Sequence, residues 1–159
     1  MFSLVLFGAA AATAPLQPAF GEGLRPLTFL VGHCWRGEFA DSKKVDTHCF
    51  EAVYGGKHIR DRHEVTGGKD VYRGETIYSW NAKLGQVEYT YWNSLGGVSR
   101  GTMTANGEML DFGNETYVGS DGKTITIATA WRPAKDSYEV ISRKNGVTGG
   151  PVTIYRRAD

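Results

Sequence analysis

The chain has 159 residues, 41% hydrophobic and 12% aromatic, with 18 Lys and Arg balanced by 17 Asp and Glu. A formal net charge of +1 with both signs interspersed leaves no basic stripe, so nucleic acid is not an expected partner. The length suits one domain with a proper core, and 21 glycines beside that aromatic content suit a turn-rich β protein.

Residues 1–19, MFSLVLFGAAAATAPLQPA, form an apolar run followed by small residues. The pattern is that of a secretory signal peptide cleaved near Ala19, and the run is too short for a spanning helix. The alternative is a short buried or disordered N-terminal segment. Residues 20–159 then read as a single domain in the periplasm or outside the cell. Gly21 to Gly32 can hold one short helical turn with Leu27, Leu30 and Val31 on one side.

From Trp35 onward, strand-like runs alternate with turn signals at the spacing expected of barrels and sandwiches. Strands are predicted at 34–40, 43–54, 57–66, 71–80, 86–93, 98–105, 108–112, 115–119, 123–132, 137–144 and 151–157. The intervening GG, GGKD, NAKLG, SLGG, NG, GSDG, PAKD and NGVTGG turns leave no room for crossover helices, so the sheet is antiparallel. About ten strands joined this way would expose two long edges unless the sheet closed on itself. The expected fold is therefore all-β, a single antiparallel up-and-down barrel with a short N-terminal helical turn.

Turn residues fix the register of the first strands. A two-residue Asp41-Ser42 turn sets Cys34 opposite Cys49, the placement a cross-strand disulfide needs. Two cysteines in an exported chain are usually bonded to each other, and there is neither a C-x-x-C pair nor a zinc-ribbon spacing. A Gly55-Gly56 turn then sets Glu51 opposite Arg60 and His48 opposite His63. A loop over 67–70 sets Arg62 opposite Glu75 and Glu64 opposite Arg73. No like charges end up opposed.

Period-two alternation then assigns the other face to the interior, with His33, Trp35, Phe39, His48, Phe50, Ala52, Tyr54, Ile59, Asp61, His63, Val65, Tyr72, Thr76 and Tyr78. Pairing Asn81 with Gln86 adds Val87, Tyr89 and Tyr91 inside and leaves Trp92 outside. The next hairpin is open between two solutions. A four-residue SLGG loop turns Arg100 inward, where it can clamp a ligand carboxylate; a bulge at Gly96-Gly97 swaps the faces.

FLVGHCW, VYGGKHIRDRH, GETIYSW, YTYW and the terminal IYRR, within residues 27–157, resemble an uncharacterised bacterial exported family of lipocalin-like (calycin) barrels. The resemblance implies an interior cavity for a small, mainly apolar ligand. Haem-binding relatives use a histidine in the C-terminal part, whereas no histidine follows His63 here, so no cofactor is expected.

The expected ligand site is Trp35, Phe50, Tyr72, Tyr78, Tyr89, Tyr91 and Arg100, with His48, Asp61 and His63 as polar anchors. Three readings follow. The first is a non-enzymatic periplasmic or secreted binding protein. The second is a hydrolytic or isomerising enzyme using the interior His/Asp cluster, with His33, His48 and His63 as candidate zinc ligands and Asp61 as orienting group or general base. The third is an envelope accessory protein acting through its outer surface, with Trp92 exposed. A buried network of purely structural histidines remains the plain alternative. No G-x-S-x-G elbow, P-loop or dinucleotide fingerprint is present.

Overall fold

The computed structural model describes residues 20–40, 42–144 and 147–159. The expected leader, residues 1–19, and Asp41 of the first turn lie outside the described residues. Ten strands run β1 (Cys34–Glu38), β2 (Val45–Val53), β3 (His58–Thr66), β4 (Tyr72–Asn81), β5 (Gln86–Asn93), β6 (Val98–Asn106), β7 (Met109–Val118), β8 (Thr124–Pro133), β9 (Ser137–Lys144) and β10 (Val147–Arg157). Each pairs antiparallel with its sequence neighbours, and β1 pairs with β10 to close the barrel. The runs 108–112 and 115–119 form one strand, β7, rather than two. It bends where the register slips between Asp111 and Asn114, with Gly113 at a positive φ of 56°.

The register of β1 to β5 is the one the turns dictate. Cys34 faces Cys49 and the two are bonded, His48 faces His63, Glu64 faces Arg73, and Tyr78 faces Tyr89. Arg60 and Arg73 reach Glu51 and Glu64 at 2.5 and 2.8 Å. Arg62 lies opposite Glu75, yet its guanidinium turns to Glu51 at 3.3 Å. Exposed pairs like these contribute well under ~1 kcal/mol each.

Tyr54 does not belong to the interior: it sits at the β2–β3 hairpin tip with φ 51° and is 81% exposed. A side chain held in the tight turn, outside the ladder, no longer obeys the strand's alternation. The β5–β6 hairpin adopts the bulged solution. Gly96 takes a φ of 82°, its N–H bonds Asn93 O, and Val98 faces Trp92. That one-residue step places Arg100 outward, opposite Thr90 and exposed, so the inward Arg100 of the sequence reading is corrected.

The N-terminal segment forms a nine-residue 3-10 helix, Glu22–Leu30, rather than a single turn. Its buried residues are Leu24, Leu27 and Leu30, a spacing of three that stacks them on one side of a helix with three residues per turn. Val31 has left the helix and bridges to Phe50 instead. The helix stands at the barrel end that carries the β4–β5 turn. There Gly23 lies flat against the Trp80 indole, and Leu30 O accepts the Trp35 indole N–H at 3.1 Å. No helix among the described residues is long and apolar enough to cross a membrane.

Aromatic rings fill the axis from this end. Trp35, Tyr138, Trp131, Phe112, Tyr89 and Tyr78 follow one another with centroids 4.4 to 5.8 Å apart. Space for them comes from inward glycines. Gly101, opposite Tyr89, has no room for a Cβ, which would fall 2.3 Å from the tyrosine hydroxyl.

The disulfide encloses a loop of about 15 residues, so replacing both Cys34 and Cys49 by Ser should lower unfolding free energy by ~3 kcal/mol. Urea denaturation of the oxidised protein against the double variant measures it; equal midpoints would refute a stabilising crosslink.

Candidate functional site

Strand alternation brings Asp46 and His48 of β2, Asp61 and His63 of β3, Tyr72 of β4, Tyr91 of β5 and Tyr155 of β10 onto one inner surface. They form a continuous hydrogen-bonded network. His48 Nδ1 lies 2.7 Å from Asp61 Oδ2, and its Nε2 lies 3.0 Å from Asp46 Oδ2. His63 Nδ1 is 2.9 Å from Asp46 Oδ1 and its Nε2 is 3.0 Å from the Tyr91 hydroxyl, which contacts the Tyr72 hydroxyl in turn. Tyr155 donates to Asp46 Oδ2 at 2.9 Å.

Proton positions follow from these partners. Burial raises the pKa of Asp46, but hydrogen bonds from His48 and His63 and their charges outweigh it and hold the carboxyl far below the usual carboxylate range. An ionised carboxylate only accepts, so each ring nitrogen facing it donates. His48 faces carboxylates with both nitrogens and is an imidazolium. Burial opposes that charge, yet Asp61 and Asp46 prevail and raise its pKa from 6.5 to about 10. His63 donates from Nδ1 to Asp46, its Nε2 is hydrogen-bonded to the Tyr91 hydroxyl, and that hydroxyl is hydrogen-bonded to Tyr72. Burial pushes up the phenols of Tyr72, Tyr91 and Tyr155, which keeps them as O–H donors.

Close packing locks the cluster. The two imidazole rings stack at 4.5 Å with planes 19° apart. Gly74, opposite His63 in the ladder, leaves the space they need: a Cβ there would lie 2.3 Å from His63 Nε2 and 2.6 Å from the Tyr91 hydroxyl.

A metal ion does not fit this arrangement. Ligand atoms of Asp46, His48 and His63 lie within 4.8 Å of one another. An ion bound through an imidazole lone pair must lie in that ring's plane, and two nearly parallel stacked rings share no such point. His33, the third zinc candidate, is remote from the cluster. It belongs to the residues before β1, is 35% exposed, and pairs with Asp159 at 3.3 Å.

The rest of the expected site divides by depth. Trp35, Phe50, Tyr78 and Tyr89 are 0, 2, 3 and 6% exposed, within one core cluster that includes the 3-10 helix leucines. Tyr72 and Tyr91 lie toward the other end. Ile125, which faces inward opposite Tyr117, is nevertheless 55% exposed. Tyr117 and Asn93 complete that rim, with Asn93 Nδ2 donating to the Tyr117 hydroxyl at 3.2 Å. Just inside, Glu115 accepts hydrogen bonds from Tyr89, at 2.8 Å, and Ser99. Trp92 faces outward and is 43% exposed, beside a groove of about 680 Å³ lined by Arg62, Glu64, Arg73 and Glu75.

Sequence reasoning overlooked Asp46 and Tyr155. Asp46 was within reach, because it stands two residues before His48 and alternation alone puts it on the same face. Tyr155 needed the β1–β10 pairing, which places it opposite Gly37. Ser99 lies beyond the hairpin that the sequence leaves open between two solutions, and Glu115 and Tyr117 lie beyond the Gly113 bulge as well. No protein-family model matches the chain, and no curated protein matches it either.

The network sets a pH window. The contribution from His48 is complete below its unfolded pKa of 6.5 and fades as pH climbs to about 10. That of Asp46 is complete above 3.8 and fades as pH falls below it. Thermal stability should therefore peak between about pH 4 and 6.5 and decline toward pH 10, and His48→Gln should flatten the alkaline limb. A melting-temperature series that is level from pH 6 to 10 in the parent protein would refute the imidazolium assignment.

Proposed function

We propose that this protein binds a small molecule at the open end of its barrel, in contact with Tyr72, Tyr91 and Tyr117, and does so outside the cytoplasm. The observation that carries the reading is the contrast between the two ends. The aromatic residues toward the 3-10 helix are buried in one cluster, while the inward-facing Ile125 at the other end is 55% exposed. Concave sites that combine apolar walls with a few fixed polar groups are the usual form of ligand pockets. Here the rings of Tyr72, Tyr91 and Tyr117 and the side chain of Ile125 supply the walls, and the Tyr72 hydroxyl and Asn93 amide supply the polar groups. The ligand is accordingly compact, with an apolar body that enters only the upper part of the barrel. A disulfide between β1 and β2 supports an oxidising compartment.

One observation favours a second reading, acid–base catalysis at the same opening. The chain from Tyr72 through Tyr91 and His63 to Asp46 connects a partly exposed hydroxyl to a buried, ionised acid, a path along which a proton can move. On that reading His63→Gln abolishes turnover while binding changes only severalfold.

Native mass spectrometry of protein recovered from an oxidising compartment should show a retained small molecule. On its readdition to stripped protein, ring resonances of Tyr72, Tyr91 and Tyr117 should shift while those of Tyr78 and Tyr138 stay fixed. Tyr72→Phe should weaken binding by about 3- to 10-fold, the contribution of one hydrogen bond. Shifts confined to Trp92 and the outer groove would reject the reading in favour of an outer-surface role.

A further inference from the structure

We propose that the outer wall of the barrel carries a second binding site, a groove across β2 to β5 that takes a neutral oligosaccharide. It lies apart from the mouth and holds or fails independently of what the mouth binds. Its floor is a run of directly opposed outward residues: Cys49 faces Arg62, Arg62 faces Glu75, and Glu75 faces Trp92. A second run, Thr47, Glu64 and Arg73, stands beside it. Together they line the hollow of about 680 Å³ next to Trp92. Neighbouring strands are about 4.8 Å apart, so Arg62 and Trp92 are separated by about 10 Å, the length of a disaccharide.

Two observations point to the guest. The first is the state of the polar groups. Glu75 is half-buried beside the Trp92 ring, yet Arg62, which stands opposite it, has turned to Glu51, and no lysine or arginine among the described residues pairs with Glu75. Arg73 holds Glu64 through its Nε alone, which leaves the terminal N–H groups of the guanidinium and the second Glu64 oxygen uncommitted. Free acceptors and free donors therefore lie side by side, and a partly desolvated carboxylate gains most from a guest that brings hydroxyl donors. The second observation is the ring itself. Trp92 shows nearly half of its surface at the edge of a hollow on the outer wall, where nothing in the barrel's own packing calls for an indole.

Other guests fit less well. The carboxylates and guanidiniums that line the groove are Arg62, Arg73, Glu64 and Glu75, two of each sign, so neither an anion nor a cation finds a net field. A purely apolar molecule would strip water from Glu75 and return no donor. A peptide cannot add as a strand, because every strand of the closed barrel already pairs on both sides. A sugar meets each group in turn. The C–H face of its ring stacks on the indole, adjacent hydroxyls donate as a pair to Glu75, and hydroxyl oxygens accept from Arg62 and Arg73.

Chitotetraose, cellotetraose and maltotetraose, each titrated into the full chain, test the site, with indole N–H and tyrosine ring resonances followed together. Inorganic phosphate and tetramethylammonium are the ionic controls. At millimolar concentration at least one sugar should shift the Trp92 indole resonance, leave those of Trp35 and Trp131 in place, and bind equally at low and high salt. Trp92→Ala should weaken that binding by about tenfold or more and Glu75→Gln by about 3- to 10-fold, both with native melting temperatures, since both side chains stand outside the core. The inference fails if no sugar moves Trp92, if either ion binds there more tightly than every sugar, or if Trp92→Ala leaves the affinity intact. Shifts at Tyr72 and Tyr117 in place of Trp92 would also overturn it and assign the sugar to the mouth, so the two sites are judged separately.

Discussion

One carboxylate organises the interior of this barrel. Asp46 accepts from His48, His63 and Tyr155, side chains on β2, β3 and β10, and so ties the two sides of the barrel's closure to each other. A buried acid with three donors is stable as an anion, and its charge keeps His48 protonated against the cost of burial. Breaking either partner would leave the other charge unbalanced, which typically costs about 3–5 kcal/mol. The stacked rings, the glycine opposite them and the tyrosine relay all follow from where that anion sits.

The two ends of the barrel obey different rules. Toward the 3-10 helix, shape dominates: large rings meet glycines, leucines recur every third residue, and Trp35 has its one polar atom satisfied by Leu30 O. Toward the open end, hydrogen bonding dominates, and nearly every inward side chain from Asp46 to Glu115 has a named partner. The boundary runs through Asp61, whose Oδ2 belongs to the polar network and whose Oδ1 faces the packed one unpaired. On the proposed reading, the buried aromatic cluster is the floor on which the mouth rests.

Much of this was legible without coordinates, and the reasons are specific. Cysteines and glycine turns fixed the pairings of β1 through β5, because one shifted residue would have opposed like charges and turned tryptophan outward. Alternation then delivered His48, His63, Asp61, Tyr72 and Tyr91 to a common surface. It failed wherever the count of residues was broken locally. The glycines at 96–97 signalled a possible step but left Arg100 open between two faces, and the step at Gly113 had no such signal, so Glu115 and Tyr117 were not placed at all. Tyr54 and His33 misled for a related reason: they stand just outside their strands, where alternation has no force. Tyr155 depended on a contact between the two ends of the chain, which no local pattern encodes.

The closing seam has a kinetic meaning. Every other ladder joins strands adjacent in sequence and can zip from its own turn, whereas β1 meets β10 through only Trp35–Arg157, Arg36–Arg156 and Gly37–Tyr155. The tail lengthens that seam slightly, with Ala158 N–H on Cys34 O at 2.9 Å and Asp159 accepting from Cys34 N–H. Bringing residues so distant along the chain together carries the largest loop-closure entropy of any pairing here. The seam is thus the natural last step of assembly and the first place for the cylinder to breathe. Any transient access to the sealed aromatic floor would pass through that slit, past Trp35, and not between the hairpins.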